Sequence, residues 1–297
     1  MVGKQERRYQ RMITVVLALI SLIMVIPLVL LVVASFTSNN EIVLHGYSFF
    51  PKELSLEAYR YIWNERAQVF HAYGITILVT AIGTTIGVMM TLLYAYVLAH
   101  EKFPGKTFLA FYLFFTMLFN GGLVPTYIMY TRYLHMKNTI PALIIPGLLM
   151  SAFNVILTRT YIQSNVPAAL SEAAKIDGAT EFKVFRKVVL PMCKPIIATV
   201  GLFAGLGYWN DWTNGLYYIT DTNKFSIQQL LNNMIKNIEF LSKNANSNIN
   251  LASVGGGIPQ ETVRMAIAIV GLLPILIVFP FVQKYFVKGI SIGAVKG

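Results

Sequence analysis

Long apolar runs separated by short polar stretches dominate this chain and predict six membrane-crossing helices. Residues 13–34 carry no charge over 22 positions, enough to cross roughly 30 Å of hydrocarbon at about 1.5 Å rise per residue. Lys4, Arg7, Arg8 and Arg11 precede this run, as in a signal peptide. Its apolar region, however, exceeds the about 7–15 residues of such signals, so it reads as an uncleaved anchor. Further spans are expected at 73–99, 107–131, 140–162, 195–219 and 262–282.

The pattern changes at 164–194, which is polar, basic and strongly helical although spans flank it. Good helix formers run from Ala168 to Lys175 after Pro167, a residue suited to a first turn. Gly178, preceded by Asp177, supplies the left-handed residue that ends such a helix. Thr180 and Glu181 then read as the cap and first-turn acid of a second helix through Phe185 to Lys187. Two short helices meeting at a sharp turn on the membrane surface suit something that grips them from the cytoplasm.

Beyond the fifth span, Ile227, Leu230, Leu231, Met234, Ile235, Ile238 and Leu241 recur at helical spacing. This predicts an amphipathic helix lying outside the bilayer core, either covering the external mouth or offering a docking surface. The asparagine-rich 244–250 and the glycines at 255–257 read as a solvated connector.

Composition excludes a soluble globular protein. Charged residues are 12%, against roughly 25% in soluble domains, hydrophobic residues reach 56%, and the mean hydropathy is +0.60. A net charge of +11 raises the question of nucleic acid, but the basic residues follow the membrane rule instead. Fifteen of the 24 lysines and arginines fall on the side of the N-terminus, the 164–194 loop and the C-terminus, which are therefore expected in the cytoplasm. No nucleic-acid partner is expected. One cysteine, Cys193, excludes an internal disulfide framework and reads as a reduced cytoplasmic thiol.

No catalytic or metal-ligating set emerges. His45, His71, His100 and His135 have no partner at ligand spacing, and no serine sits in G-x-S-x-G. Gly105-Lys106-Thr107 imitates the end of a phosphate-binding loop, but His100 stands where that loop needs glycine. If ATP drives this protein, the ATPase is a separate chain that binds ATP-Mg, and this chain carries no cofactor.

Several polar residues fall inside spans. Asp211 is flanked by Trp209, Asn210 and Trp212, an arrangement able to stack on sugar C–H faces while bonding hydroxyls. It fits either a pathway lining or an interfacial aromatic belt. Asn120, Gly121, Gly122 and Pro125 interrupt the third span, as a kink or as a binding element. Gly83 with Gly87, and Gly201 with Gly205, read as small-residue faces for close helix packing. Asn154 and Arg159 in the fourth span need partners.

Glu172-Ala173-Ala174, three residues, Gly178, nine residues, and Val188-Val189-Leu190-Pro191 resemble the signature loop of permease subunits from binding-protein-dependent ABC importers. Val188 replaces the usual isoleucine there. The wider run 167–195 resembles the carbohydrate, maltose-importer branch. The stretches 119–125, 208–212 and 283–297 are similar to its complex-oligosaccharide group.

The resemblance implies an all-α integral membrane protein of the type I importer permease fold, in a bacterial cell membrane. It implies a tail, first helix and external loop over 1–70, a core transmembrane domain over 71–283, and a cytoplasmic tail over 284–297. Glu172, Ala173, Ala174, Asp177, Gly178, Leu190 and Pro191 would couple to the ATPase. Trp209, Asn210, Asp211, Trp212 and Asn120 would serve the substrate pathway. The implied partners are a second, different permease, two ATPase subunits, an external solute-binding protein, an oligosaccharide and the lipid bilayer. Import of amino acids or peptides is the alternative within the class. An ion-coupled secondary transporter would need more buried acids and an inverted repeat.

Overall fold

The computed structural model describes residues 4–100, 103–245 and 259–294, and these are helical almost throughout. In chain order the helices are α1 (Lys4–Ser35), α2 (Asn39–His45), α3 (Glu57–Asn64), α4 (Arg66–Ala99), α5 (Lys106–Leu118), α6 (Leu123–Ile128) and α7 (Pro141–Ile144). Then follow α8 (Ala152–Asn165), α9 (Ala168–Ile176), α10 (Glu181–Val184), α11 (Leu190–Met192), α12 (Lys194–Asn210), α13 (Thr213–Tyr218), α14 (Ile227–Ala245) and α15 (Gln260–Ala294). A π-helical turn, Phe185–Val189, joins α10 to α11, and another, Met129–Tyr133, extends α6.

Among the described residues, three helices are long and apolar enough to cross a membrane: Arg8–Ser35, Arg66–Ala99 and Gln260–Pro280. The number rises to five if each of two bent pairs counts as one span. The expected third span is one such pair, with α5 and the α6 segment meeting at 114°. Asn120 closes the bend by accepting the Gly122 N–H (2.9 Å), and Gly122 takes φ +82°.

The fourth span departs from expectation, because 140–162 is not one helix. Its apolar pattern is continuous, but the helix stops after Ile144 and resumes at Ala152. Pro146 removes a backbone donor and Gly147 turns the chain at φ +72°. The expected fifth span, 195–219, is likewise broken at Asp211 into α12 and α13. The second loop helix runs past Lys187 through the π turn to Met192. The glycine-rich connector falls mostly outside the described residues.

The chain divides into two compact units. In Met1–Val69 with Leu231–Pro274, Thr37 bridges Leu54, Phe36 stacks on Tyr59 at 4.8 Å, and Val263, Ala266 and Ile267 are buried. Tyr47 donates to Glu261 (3.1 Å), and Arg264 pairs with both Glu261 and Glu239.

In Phe70–Leu230 with Ile275–Gly297, two apolar clusters form the core. One joins α4 (Leu92, Ala95, Leu98), α8 (Val155, Ile162), α12 (Ile196, Val200) and the loop residues Val184, Phe185, Val189 and Cys193. The other joins Val79, Ala142, Leu143, Tyr208 and Tyr218. The glycine faces pack as expected. Gly83 lies under the Tyr208 ring, and a Cβ on Gly205 would meet the Thr84 hydroxyl at 3.6 Å. Of the apolar stripe expected on α14, Ile227, Leu230, Leu231, Met234 and Ile238 are buried and Ile235 is half-buried, while the Leu241 side chain lies outside the described residues.

Candidate functional site

The signature loop folds as two exposed helices around one glycine. Gly178 adopts φ +79°, so its N–H reaches the Lys175 carbonyl (3.0 Å) while the Ala179 N–H closes on Ala174 (2.9 Å). The Thr180 side chain then caps the next helix by accepting the Lys183 N–H (3.4 Å). Glu172, Ala173, Asp177, Gly178 and Pro191 are exposed, whereas Ala174 and Leu190 turn partly into the core. Three large apolar side chains stand out beside them, Leu170 at 47%, Ile176 at 86% and Phe182 at 67% exposure. A surface that leaves this much apolar area in water is suited to burial against a partner.

The two halves of the loop are held very differently. α9 buries no residue, whereas the segment from α10 to α11 inserts Val184, Phe185, Val189 and Cys193 between the spans. Glu181 links the halves, and the sequence alone did not assign it this part. Its carboxylate pairs with the Lys175 ammonium, accepts the Tyr96 hydroxyl (2.9 Å) and lies 3.8 Å from His100. The hydrogen bond from Lys175 holds this carboxyl below its usual range, against the upward push of burial, and the bond from Tyr96 acts in the same sense.

A cavity of about 340 Å³ opens on the break in the fourth span. Its walls are Gly87 and Thr91 from α4, Gly147 to Leu149 with Ser151, Phe153 and Asn154 from the break and α8, and Phe203, Ala204 and Gly207 from α12. No ionisable side chain belongs to this lining. Thr91, Ser151 and Asn154 offer hydroxyl and amide groups, and Phe153 and Phe203 offer ring faces. That combination can bind a neutral, hydroxyl-rich solute by stacking and hydrogen bonding.

Periodicity gives no sign of the cavity, because the continuous apolar pattern of 140–162 predicts an unbroken helix where its wall lies. Pro146-Gly147 was the available signal.

The residues singled out around Asp211 sit elsewhere. Asp211 accepts the N–H groups of Thr213 (3.1 Å) and Asn214 (3.3 Å), which starts α13 after the break. Trp209 tilts against Tyr73 at 6.3 Å, Asn210 bonds the Leu206 carbonyl (2.9 Å), and Trp212 is 40% exposed. None of these four, nor Asn120, belongs to the cavity lining.

A helical chain with long apolar helices, an exposed two-helix loop and a largely apolar cavity carrying a few hydroxyl and amide groups has the parts of a transport component. Residues 83–292 match the family described as the binding-protein-dependent transport system inner membrane component, and the chain belongs to that family. It is 35% identical over 99% of its length to all of the polygalacturonan/rhamnogalacturonan transport system permease protein YtcP of Bacillus subtilis (strain 168). It is 28% identical to the melibiose/raffinose/stachyose import permease protein MelC of the same organism, over 97% of each chain.

Among solved structures, a chain from a bacterial ABC transporter involved in the import of the acidic polysaccharide alginate superposes with a TM-score of 0.75. The two are 27% identical, with 96% of this chain and 99% of the other covered. The protein is thus a multi-pass inner-membrane permease subunit with the type I importer fold. As a member of this family it is a transport subunit and not an enzyme, ATP hydrolysis belonging to separate subunits.

Proposed function

We propose that this chain forms half of a translocation pathway for an oligosaccharide, working with a second, different permease, two ATPase subunits and an external solute-binding protein. One observation carries the proposal: the helices that line the cavity also clamp the exposed loop. α4, α8 and α12 supply Thr91, Asn154 and Phe203 to the cavity and Leu92, Val155 and Val200 to the cluster around Phe185 and Val189. A push on the loop therefore moves the cavity wall, because a packed core transmits displacement rather than absorbing it.

On this reading the ATPases bind ATP-Mg, and their closure displaces α9 through Glu172, Ala173, Ala174, Asp177 and the Gly178 turn. Leu190 and Pro191 carry that motion toward the spans. The chain crosses the bilayer six times, the fourth crossing being α7 and α8 together, with both termini cytoplasmic. The core transmembrane domain is 71–283, preceded by a tail, first helix and external loop and followed by a short cytoplasmic tail. Solute enters past Trp209, Asn210, Asp211, Trp212 and Asn120 and rests in the cavity. The carbohydrates named for the relatives support a sugar, and the neutral cavity lining supports recognition of its hydroxyls.

The test is to purify the whole assembly, identify every subunit by mass spectrometry and measure ATP hydrolysis with candidate solutes. Stimulation by an oligosaccharide is expected. Stimulation by amino acids or peptides alone would overturn the substrate class, and absence of ATPase chains would overturn the importer assembly.

A further inference from the structure

Glu181 makes more contacts than a first-turn acid needs. A carboxylate at that position already answers the positive end of α10. Here it also joins three elements: α9 through Lys175, α10 through its own backbone, and the C-terminal end of α4 through Tyr96 and His100. Tyr96, only 9% exposed, is held in turn by Phe185 (ring centroids 5.1 Å) and by His100 (4.5 Å). The hydroxyl is therefore fixed while the carboxylate side remains 61% exposed.

Apart from Ala174, which packs partly against the core, α9 has few contacts to hold it, since it fully buries no residue and ends in a glycine around which a side chain would meet nothing. Held only by its backbone bonds and the small Ala174 contact, such a helix would pivot at Gly178 when pulled. Thr91, in the cavity wall, lies five residues before Tyr96 on α4, about 7.5 Å along a rigid helix.

We propose that Glu181 is the clasp that passes movement of α9 to α4 and hence to the cavity wall, a positioning residue for transport. The inference rests on reading α9–α11 as the coupling loop. A charge-assisted bond from a buried tyrosine resists shear better than an exposed ion pair does.

The test uses the complete importer, purified with its ATPases and reconstituted in vesicles with its binding protein, and reads solute imported per ATP hydrolysed. Glu181→Ala, Tyr96→Phe and Lys175→Glu should each lower that ratio about fivefold, the scale of one hydrogen bond, with both ATPase subunits still co-purifying. The double exchange Lys175→Glu with Glu181→Lys restores an ion pair and should recover most of the ratio. Wild-type ratios in all three single variants would overturn the clasp. Loss of ATPase subunits from them would also overturn it, assigning Glu181 to docking. Glu172→Lys run alongside separates the two readings: if it keeps its ATPases and transports normally, the coupling loop itself is misassigned. If it uncouples while the Glu181 variants do not, only the clasp fails.

Discussion

Tyr208 donates its hydroxyl to the carbonyl oxygen of Ile144 at 3.0 Å, across 64 positions of sequence. Ile144 is the last residue of α7, so its carbonyl has lost the helical partner it would have in an unbroken span. The Asn214 amide does the same for Pro146 at 2.9 Å. Thus the break in the fourth span is satisfied by side chains from α12 and α13, which flank the break in the fifth. Irregular backbone at this depth needs such partners.

Tyr208→Phe removes one hydroxyl and keeps the ring over Gly83. A buried carbonyl left without its donor costs about 1–3 kcal/mol, so the thermal unfolding midpoint in detergent should fall. An unchanged midpoint would mean that the break stands without this bond.

Gly87 and Gly201 give a matched pair of tests. A Cβ on Gly87 would sit 2.7 Å from the Leu149 backbone oxygen, whereas one on Gly201 would meet Val88 at an ordinary 3.9 Å. Backbone cannot swing aside as a side chain can, so Gly87→Ala should cost about 1–3 kcal/mol of overpacking and shift the cavity wall. Transport in vesicles should drop markedly for Gly87→Ala and little for Gly201→Ala. Equal rates would remove the close approach from the account.

The local chemistry of this site was legible in the sequence. Gly178 takes the left-handed conformation its position predicts, Thr180 caps as its type predicts, and α14 buries five residues of the apolar stripe its spacing predicts. The breaks in spans four and five were less legible. Hydropathy registers only that 140–162 and 195–219 are apolar, while the compensation that permits a break comes from Tyr208 and Asn214, far along the chain. The Tyr96–Glu181 bond spans 85 positions and has no local signature at all. Pairing of this kind is a property of tertiary packing, not of periodicity.

Asn154 is 8% exposed yet belongs to the cavity wall, so its amide serves either the protein or the solute. Asn154→Leu keeps the approximate volume and removes the amide's capacity to hydrogen-bond. If the cavity holds the solute, the apparent KM for transport should rise about tenfold, the effect of losing one well-placed polar contact, while basal ATP hydrolysis persists. An unchanged KM would move the binding site elsewhere in the pathway.

Glu172 stands exposed on α9, free to meet a basic group of an ATPase subunit. Glu172→Lys turns such a contact repulsive once the surfaces close, a change of about 3–5 kcal/mol for a desolvated pair. The variant should remain in the membrane but lose its ATPase subunits on purification. Full retention with normal transport would sink the assignment of α9 as the docking helix.

Gly178 isolates backbone from packing, because a Cβ built there meets nothing within 4 Å. Any effect of substitution must then come from φ +79°, which asparagine tolerates and a β-branched residue resists. Holding valine in that conformation costs about 1–2 kcal/mol, enough to favour a turn with a different angle between α9 and α10. Gly178→Asn should therefore transport at close to the wild-type rate, while Gly178→Val should lose coupling although its side chain touches nothing. Both variants should insert and retain the spans, since the strain is confined to the loop. If valine and asparagine transport equally well, the left-handed turn is incidental to coupling, and α9 must be positioned by its contacts alone.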